Sequence, residues 1–155
     1  MRTRVVEDPG FILAGLAADT SQPRQAADAG PLAIRFFAPE FMASLRGRID
    51  PDETVALHAD WNPATETYRL MFGCAVAEAE QPDGVEVVEV PPGRYTVFTA
   101  VGPQPHASIE AWKVIALWRS DPGVMRTGSI SFEVHDARAR AATPAVDIYI
   151  PAVRD

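Results

Sequence analysis

The sequence predicts an α+β fold: a tandem strand-helix-strand-strand duplication whose antiparallel sheet carries helices on one face around a central groove. Three observations lead to this prediction. The order strand, helix, strand, strand can be traced twice, and the two copies open on Pro9-Gly10 and Pro92-Gly93. The chain has 155 residues, 47% of them apolar, which suits one domain with a sizeable core. We therefore expect a single domain over residues 1–155, with halves at about 9–78 and 88–153 and a groove where they meet.

The first half is predicted to contain three strands and a broken helix. Residues 11–18 form a short apolar run between turn residues, which is typical of a buried strand. Residues 20–31 have the composition of a loop or a weak helix start, and residues 32–45 place apolar side chains at helical spacing. Pro39 fits the first turn of a new helix, so the break is expected near residues 38–39. Alternating side chains then predict a hairpin from strands at 53–60 and 67–76.

The second half repeats the pattern. Residues 94–101 alternate as a strand, and Ser108 is a good N-cap for the helix that follows. Residues 109–119 carry the strongest helix signal in the chain, since Ile109, Trp112 and Ile115 fall on one stripe. The helix is expected to stop at residues 121–123, and two further strands are predicted at residues 129–136 and 146–151.

Charge and composition exclude several classes of protein. The formal net charge is -7, from 14 Lys and Arg against 21 Asp and Glu, so no basic face for nucleic acid is expected. The single cysteine, Cys74, rules out an intrachain disulfide. No apolar run approaches the roughly 20 residues that span a bilayer, and no signal peptide is visible. We expect a cytoplasmic protein without a membrane segment and, because no nucleotide motif is present, without a cofactor.

The last two strands carry the candidate binding residues. Apolar and polar side chains alternate in residues 130–135, where Glu133 belongs to the polar set, and Tyr149 alternates with apolar residues in 146–151. If the strands pair, Glu133 and Tyr149 are expected to share the sheet face opposite the helices. That pair is either two solvated positions or a carboxylate beside an aromatic wall. The second arrangement suits a cation, because a desolvated carboxylate gains from a positive partner and aromatic faces attract cations.

Several segments together resemble a known family. They are Val90-Pro91-Pro92-Gly93-Arg94-Tyr95-Thr96-Val97-Phe98, Ala111-Trp112, Phe132-Glu133-Val134, residues 146–151, and Phe72-Gly73-Cys74-Ala75-Val76. In order and spacing they resemble the GyrI-like small-molecule-binding domain, the effector-binding domain of AraC-type and MerR-type regulators. The resemblance runs from about Phe11 to Val153.

This resemblance implies a groove that binds amphipathic, cationic or aromatic small molecules, as in multidrug binding. It implies that Glu133 contacts cationic ligands and that Tyr149 lines the same pocket. Trp61, Tyr68 and Trp112 are weaker candidates for the pocket wall, and Tyr68 and Trp112 are equally compatible with the core. His135 stands where the family often has an aromatic residue. No helix-turn-helix is visible, so the chain resembles stand-alone members and no direct DNA binding is expected.

Three alternatives remain open at this point. Some stand-alone members of the family resemble hydrolases that open strained, electrophilic rings such as cyclopropanes, and Glu133 could activate water for such a reaction. A second alternative is an inhibitor or interaction module that docks on a protein partner through its sheet edge. A third is a divalent metal site, because His58 and Asp60 share one strand face, as do Glu133 and His135.

Overall fold

The computed structural model describes residues 2–119 and 129–152, so the expected helix stop at residues 121–123 and the boundary residue Val153 lie outside the described residues. Eight strands occur in these ranges: β1 Arg2–Asp8, β2 Phe11–Ser21, β3 Thr54–Asn62, β4 Thr67–Val76, β5 Glu86–Val90, β6 Gly93–Val101, β7 Ser131–His135 and β8 Ala145–Pro151. The helices are α1 Gln25–Phe36, α2 Pro39–Ser44 and α3 His106–Arg119, with a short 3-10 helix at Ala137–Arg140.

All eight strands form one antiparallel sheet in the order β1-β6-β8-β7-β3-β4-β2-β5. The strand-helix-strand-strand unit occurs twice. In the first unit, β2, β3 and β4 lie in the order β2-β4-β3, and in the second, β6, β7 and β8 lie in the order β6-β8-β7. The units meet where β3 pairs with β7. The α+β prediction with a tandem unit is therefore confirmed.

Two strands were not predicted from the sequence. β1 precedes the first unit but pairs with β6 of the second, and β5 precedes the second unit but pairs with β2 of the first. Each leading strand thus extends the sheet of the other half. Both lie at a sheet edge, and β1 is largely exposed. A strand that buries little surface shows weak alternation of apolar and polar residues, which explains why the pattern did not reveal them.

The first helix begins earlier than the sequence predicted. Residues 25–31, interpreted as a loop or weak helix start, already belong to α1, with Pro31 inside the helix. Leu32 and Phe36 are buried against the sheet, so tertiary packing stabilises a helix whose early turns have little apolar character. The predicted break is confirmed, because Ala38 is extended and α2 begins at Pro39.

The sheet is buried on both faces, which overturns one prediction. In the β7–β8 pair, Phe132 lies opposite Tyr149 and Glu133 lies opposite Ile148. Ile148 packs in the core beneath α3, whereas Phe132 and Tyr149 pack in a second core on the helix-free face. The prediction that Glu133 and Tyr149 share the face opposite the helices is therefore wrong. Alternation showed that each strand has a buried apolar face, but the apolar faces of β7 and β8 belong to different cores.

The helix-free core exists because the sheet curls. The rings of Phe11 on β2 and Phe132 on β7 are 5.2 Å apart, although β3 and β4 lie between their strands. Gly15 and Gly73 face each other across β2 and β4, and a Cβ on Gly15 would lie 1.9 Å from the carbonyl oxygen of Phe72. Glycine thus permits an approach that a side chain would block. None of the described helices has the length and hydropathy required of a bilayer-spanning segment.

Candidate functional site

A cavity of about 560 Å³ lies on the helix side of the sheet, over the seam between the two halves. β3 and β7 supply its floor, and α1 and α3 supply opposite walls. On the floor, Ala56 lies opposite Glu133 and His58 lies opposite Ser131. The small side chain of Ala56 leaves space beside the carboxylate, so Glu133 projects into the cavity.

The carboxylate of Glu133 is held by two side chains. The indole N–H of Trp112 on α3 donates a hydrogen bond to Oε1, and Nε2 of His135 lies 3.0 Å from Oε2. The side chain is only 14% exposed. Burial by itself raises the pKa of Glu133, but the hydrogen bonds from His135 and Trp112, together with electrostatic interactions with His135 and His58, hold the pKa below its usual range. The cavity therefore presents an ionised carboxylate at neutral pH.

Aromatic side chains continue from Trp112 across the cavity. The His58 ring lies 5.3 Å from the Trp112 ring and 5.2 Å from the Tyr68 ring, both in edge-on geometry. Trp61 lies 6.1 Å from Tyr68, whose hydroxyl donates a hydrogen bond to the side chain of Gln25 on α1. The structure thus brings Trp61, Tyr68 and Trp112 into one cavity with Glu133.

Tyr149 lies elsewhere. Its ring stacks on Phe132 with centroids 4.5 Å apart, and it contacts Tyr95 at 5.8 Å, both in the helix-free core. Burial raises the pKa of Tyr149. Its phenol borders a second, smaller cavity of about 280 Å³ that also touches Asp8. Tyr149 is therefore separated from Glu133 by the thickness of the sheet, as the β7–β8 register requires.

A family model described as integron-associated effector binding protein matches residues 4–152. That span is nearly the whole chain. The chain belongs to this effector-binding family. The resemblance to GyrI-like effector-binding domains, drawn from the motifs, is confirmed.

Individual relatives agree with this assignment. The transcriptional regulator BrlR of Pseudomonas aeruginosa is 28% identical over 97% of this chain, and the chain spans 55% of BrlR, about half of its length. An integron cassette protein of Vibrio cholerae shares the fold with a TM-score of 0.72 at 22% identity, covering 98% of this chain and 95% of that one. The structure of SAV2435 bound to tetraphenylphosphonium has a TM-score of 0.78 at 16% identity, covering 99% and 94%.

Within this member of the effector-binding family, Glu133 is the one acidic side chain that lines the larger cavity among the described residues. Lys113 of α3 lies at the rim, where its side chain is 68% exposed and pairs with Glu110 at 3.0 Å. Solvent and this ion pair weaken its effect on the cavity. In the described ranges, no three His, Cys, Asp or Glu side chains are arranged to hold a metal ion, and Asp60 is not among the residues that line the cavity.

Sequence reasoning considered His58 only as a metal ligand and assigned no role to Ser131. Both lie in the floor of the larger cavity. Their positions follow from the β3–β7 register, which places the polar sides of two strands from different halves next to each other. The sequence did contain a signal, because Ser131 and Glu133 are two residues apart on one strand and therefore share a face of the sheet. To use this signal, one must know that this face is the one that the helices cover.

Proposed function

We propose that this protein binds amphipathic organic cations in the cavity between α1 and α3, with the carboxylate of Glu133 as the charge partner. Membership of the effector-binding family supports small-molecule binding. The observation that carries the cationic class is the buried, ionised Glu133 in a cavity lined by aromatic rings. The tetraphenylphosphonium bound to SAV2435, a protein of similar fold, is a ligand of this class.

Both electrostatic attraction and burial of apolar surface would contribute to the binding of such a cation. Trp112 and His135 bind the carboxylate through hydrogen bonds, and the indole of Trp112 carries no charge that could neutralise it. A ligand cation can compensate the negative charge in a cavity lined largely by apolar side chains. Each aromatic face near the cation adds about 0.5–2 kcal/mol, and the apolar walls favour a hydrophobic ligand body. Because these contacts are weakly directional, we expect broad selectivity.

The same carboxylate is the base that a ring-opening hydrolase would need. Binding is favoured over hydrolysis because the pKa of Glu133 is lowered, and a general base acts best with a pKa near the working pH. Mass spectrometry of an electrophilic cyclopropane compound after incubation with the protein would detect water addition, and we expect none. Docking on a protein partner stays a prediction that rests on the family resemblance.

The cavity can be tested as the binding site by filling it. Ala29 of α1 is half-buried and lines the cavity, whereas Ala26 on the same helix is exposed. We expect Ala29→Phe to weaken tetraphenylphosphonium binding by more than about tenfold, because the ring occupies ligand space. Ala26→Phe is the matched control and is expected to bind like the parent in isothermal titration calorimetry. The parent is expected to bind neutral triphenylphosphine oxide more weakly. Equal affinity for both compounds, or binding that survives Ala29→Phe, would contradict the proposal.

Binding of the cation should weaken in acid. His135 of β7 contacts Glu133 at 3.0 Å, His58 of β3 adjoins it, and Lys113 of α3 is held at the rim by Glu110. Although burial raises the pKa of Glu133, hydrogen bonds from His135 and Trp112 lower it below its usual value. The carboxylate therefore stays ionised until the pH falls below the ordinary range of a glutamate, and its protonation then removes the charge that attracts the cation.

The expected result is little change in tetraphenylphosphonium affinity while the pH stays above the ordinary glutamate pKa, and a progressive loss below it. Glu133→Gln should remove this dependence, and triphenylphosphine oxide should show little of it. Titration calorimetry across the range measures both ligands. An affinity that already falls between about pH 8 and about pH 6 would mean that a group other than Glu133 controls binding.

A further inference from the structure

Ser131 is an unusual group in the cavity floor. It is the first residue of β7, it lies opposite His58 of β3, and it is 1% exposed. Its hydroxyl oxygen is fully covered and makes no hydrogen bond with any residue that the structure describes. Buried hydroxyl groups in folded proteins nearly always have a partner. In the floor of a cavity an occupant can supply that partner, provided that the atoms covering the oxygen shift slightly to let it approach.

Strand geometry relates this hydroxyl to the carboxylate. Ser131 and Glu133 are two residues apart on β7 and therefore project from the same face. A strand rises about 3.3 Å per residue, so their backbone positions are roughly 7 Å apart. The cavity floor thus contains two polar groups: the negatively charged carboxylate of Glu133, and the hydroxyl of Ser131, which can donate or accept a hydrogen bond. The neighbouring strand β4 adds the apolar side chains of Leu70 and Phe72 to the cavity lining.

We propose that the ligands preferred by this protein are organic cations that also carry a hydroxyl, carbonyl or ether oxygen about 7 Å from the charged centre, and that Ser131 is the residue that selects for this oxygen. The inference rests on the proposed function, since Glu133 must bind the positive centre of the ligand before Ser131 can hydrogen-bond to the ligand oxygen. A purely hydrocarbon cation leaves the Ser131 hydroxyl unpartnered. An oxygenated cation of the same size supplies the missing hydrogen bond.

Two probes of matched shape test this specificity. (4-Ethylphenyl)triphenylphosphonium carries no polar group, and (4-(hydroxymethyl)phenyl)triphenylphosphonium has nearly the same shape but places a non-acidic hydroxyl about 7 Å from the phosphorus, the spacing of the two strand positions. We expect the parent to bind the hydroxylated probe about three- to tenfold more tightly, as one neutral hydrogen bond provides. Ser131→Ala should abolish this preference, so that the two probes bind the variant with similar affinity. Ser44→Ala, whose hydroxyl donates to the carbonyl of Phe41 outside the cavity, should keep the preference.

Each result of the titrations has a definite meaning. If both probes bind the parent equally, or if Ser131→Ala weakens both to the same extent, the Ser131 inference is overturned while the proposed function stands. If neither probe binds the parent, the proposed function fails and this inference fails with it. A preference that Ser131→Ala removes, with unchanged urea unfolding of the variant, supports selection by the hydroxyl and excludes a merely structural role.

Discussion

Replacement of Glu133 by glutamine is expected to weaken tetraphenylphosphonium binding by roughly thirtyfold, corresponding to about 2 kcal/mol. Glutamine has nearly the same shape as glutamate, so its amide oxygen can still accept the indole N–H of Trp112. The substitution removes the negative charge and places the amide N–H2 against Nε2 of His135, which can accept a hydrogen bond in one of its neutral tautomers. Since the side chain is largely buried, solvent screens the lost attraction only weakly.

Two comparisons isolate the charge effect. Glu89→Gln removes a carboxylate from the exposed side of β5, away from the cavity, and should leave affinity unchanged. Neutral triphenylphosphine oxide should bind the parent and Glu133→Gln with similar affinity in titration calorimetry. If Glu133→Gln binds the phosphonium as tightly as the parent, Glu133 does not act as the charge partner and another feature of the cavity must attract cations.

The second large effect concerns stability. Asp147 of β8 is 3% exposed and anchors a network of three side chains. It accepts hydrogen bonds from Thr99 at 2.7 Å, Arg138 at 2.8 Å and Arg4 at 3.1 Å. Arg4 belongs to β1, so this network ties the leading strand to the half of the sheet that it extends. We expect Asp147→Ala to lower the free energy of unfolding by about 2–3 kcal/mol. The loss is smaller than for a fully buried pair because both arginines are about half exposed and can rehydrate.

Urea unfolding at neutral pH measures this loss, with Asp19→Asn as the control. Asp19 is 87% exposed in its pair with Arg69, so its loss should change stability by less than about 0.5 kcal/mol. Burial raises the pKa of Asp147, but hydrogen bonds from Thr99, Arg138 and Arg4 outweigh it and lower the pKa. The stabilisation is therefore present above the ordinary aspartate pKa and is lost as pH falls through the lower folded value. The difference between parent and Asp147→Ala should shrink in acid. An undiminished difference there would place the effect in packing rather than charge.

Most elements of the fold could be predicted because their signals are local. The hairpin of β3 and β4, the strand β6 and the helix α3 each bury one face, so apolar side chains recur with the period of the element. β1 and β5 lacked that signal because edge strands are stabilised by pairing with β6 and β2, which are distant in sequence. The start of α1 was missed for a related reason, since its stability comes from contact with the sheet.

The residues of the candidate site were also predicted only in part. Glu133 was predicted as the acidic residue on a strand face, and Trp61, Tyr68 and Trp112 as aromatic candidates; the structure brings all four into one cavity. Tyr149 was assigned to the same face and lies on the other one. The alternation of side chains along β8 was predicted correctly, since Tyr149 does alternate with buried Ile148. The error lay in assuming that the apolar sides of β7 and β8 face the same layer.

By itself, the sequence determined the order of the principal strands and helices, the α+β class and the family, because these depend on periodicity and on short motifs within one segment. Only the tertiary structure decided which face of the sheet each strand offers to α3, and therefore that Trp112, His135 and Ser131 surround Glu133 while Tyr149 does not. The physical reason is that a curled sheet buries both of its faces. When both faces of a sheet are buried, the alternation of side chains along a strand does not show which side faces the helices. That depends on contacts between residues that are far apart in the chain.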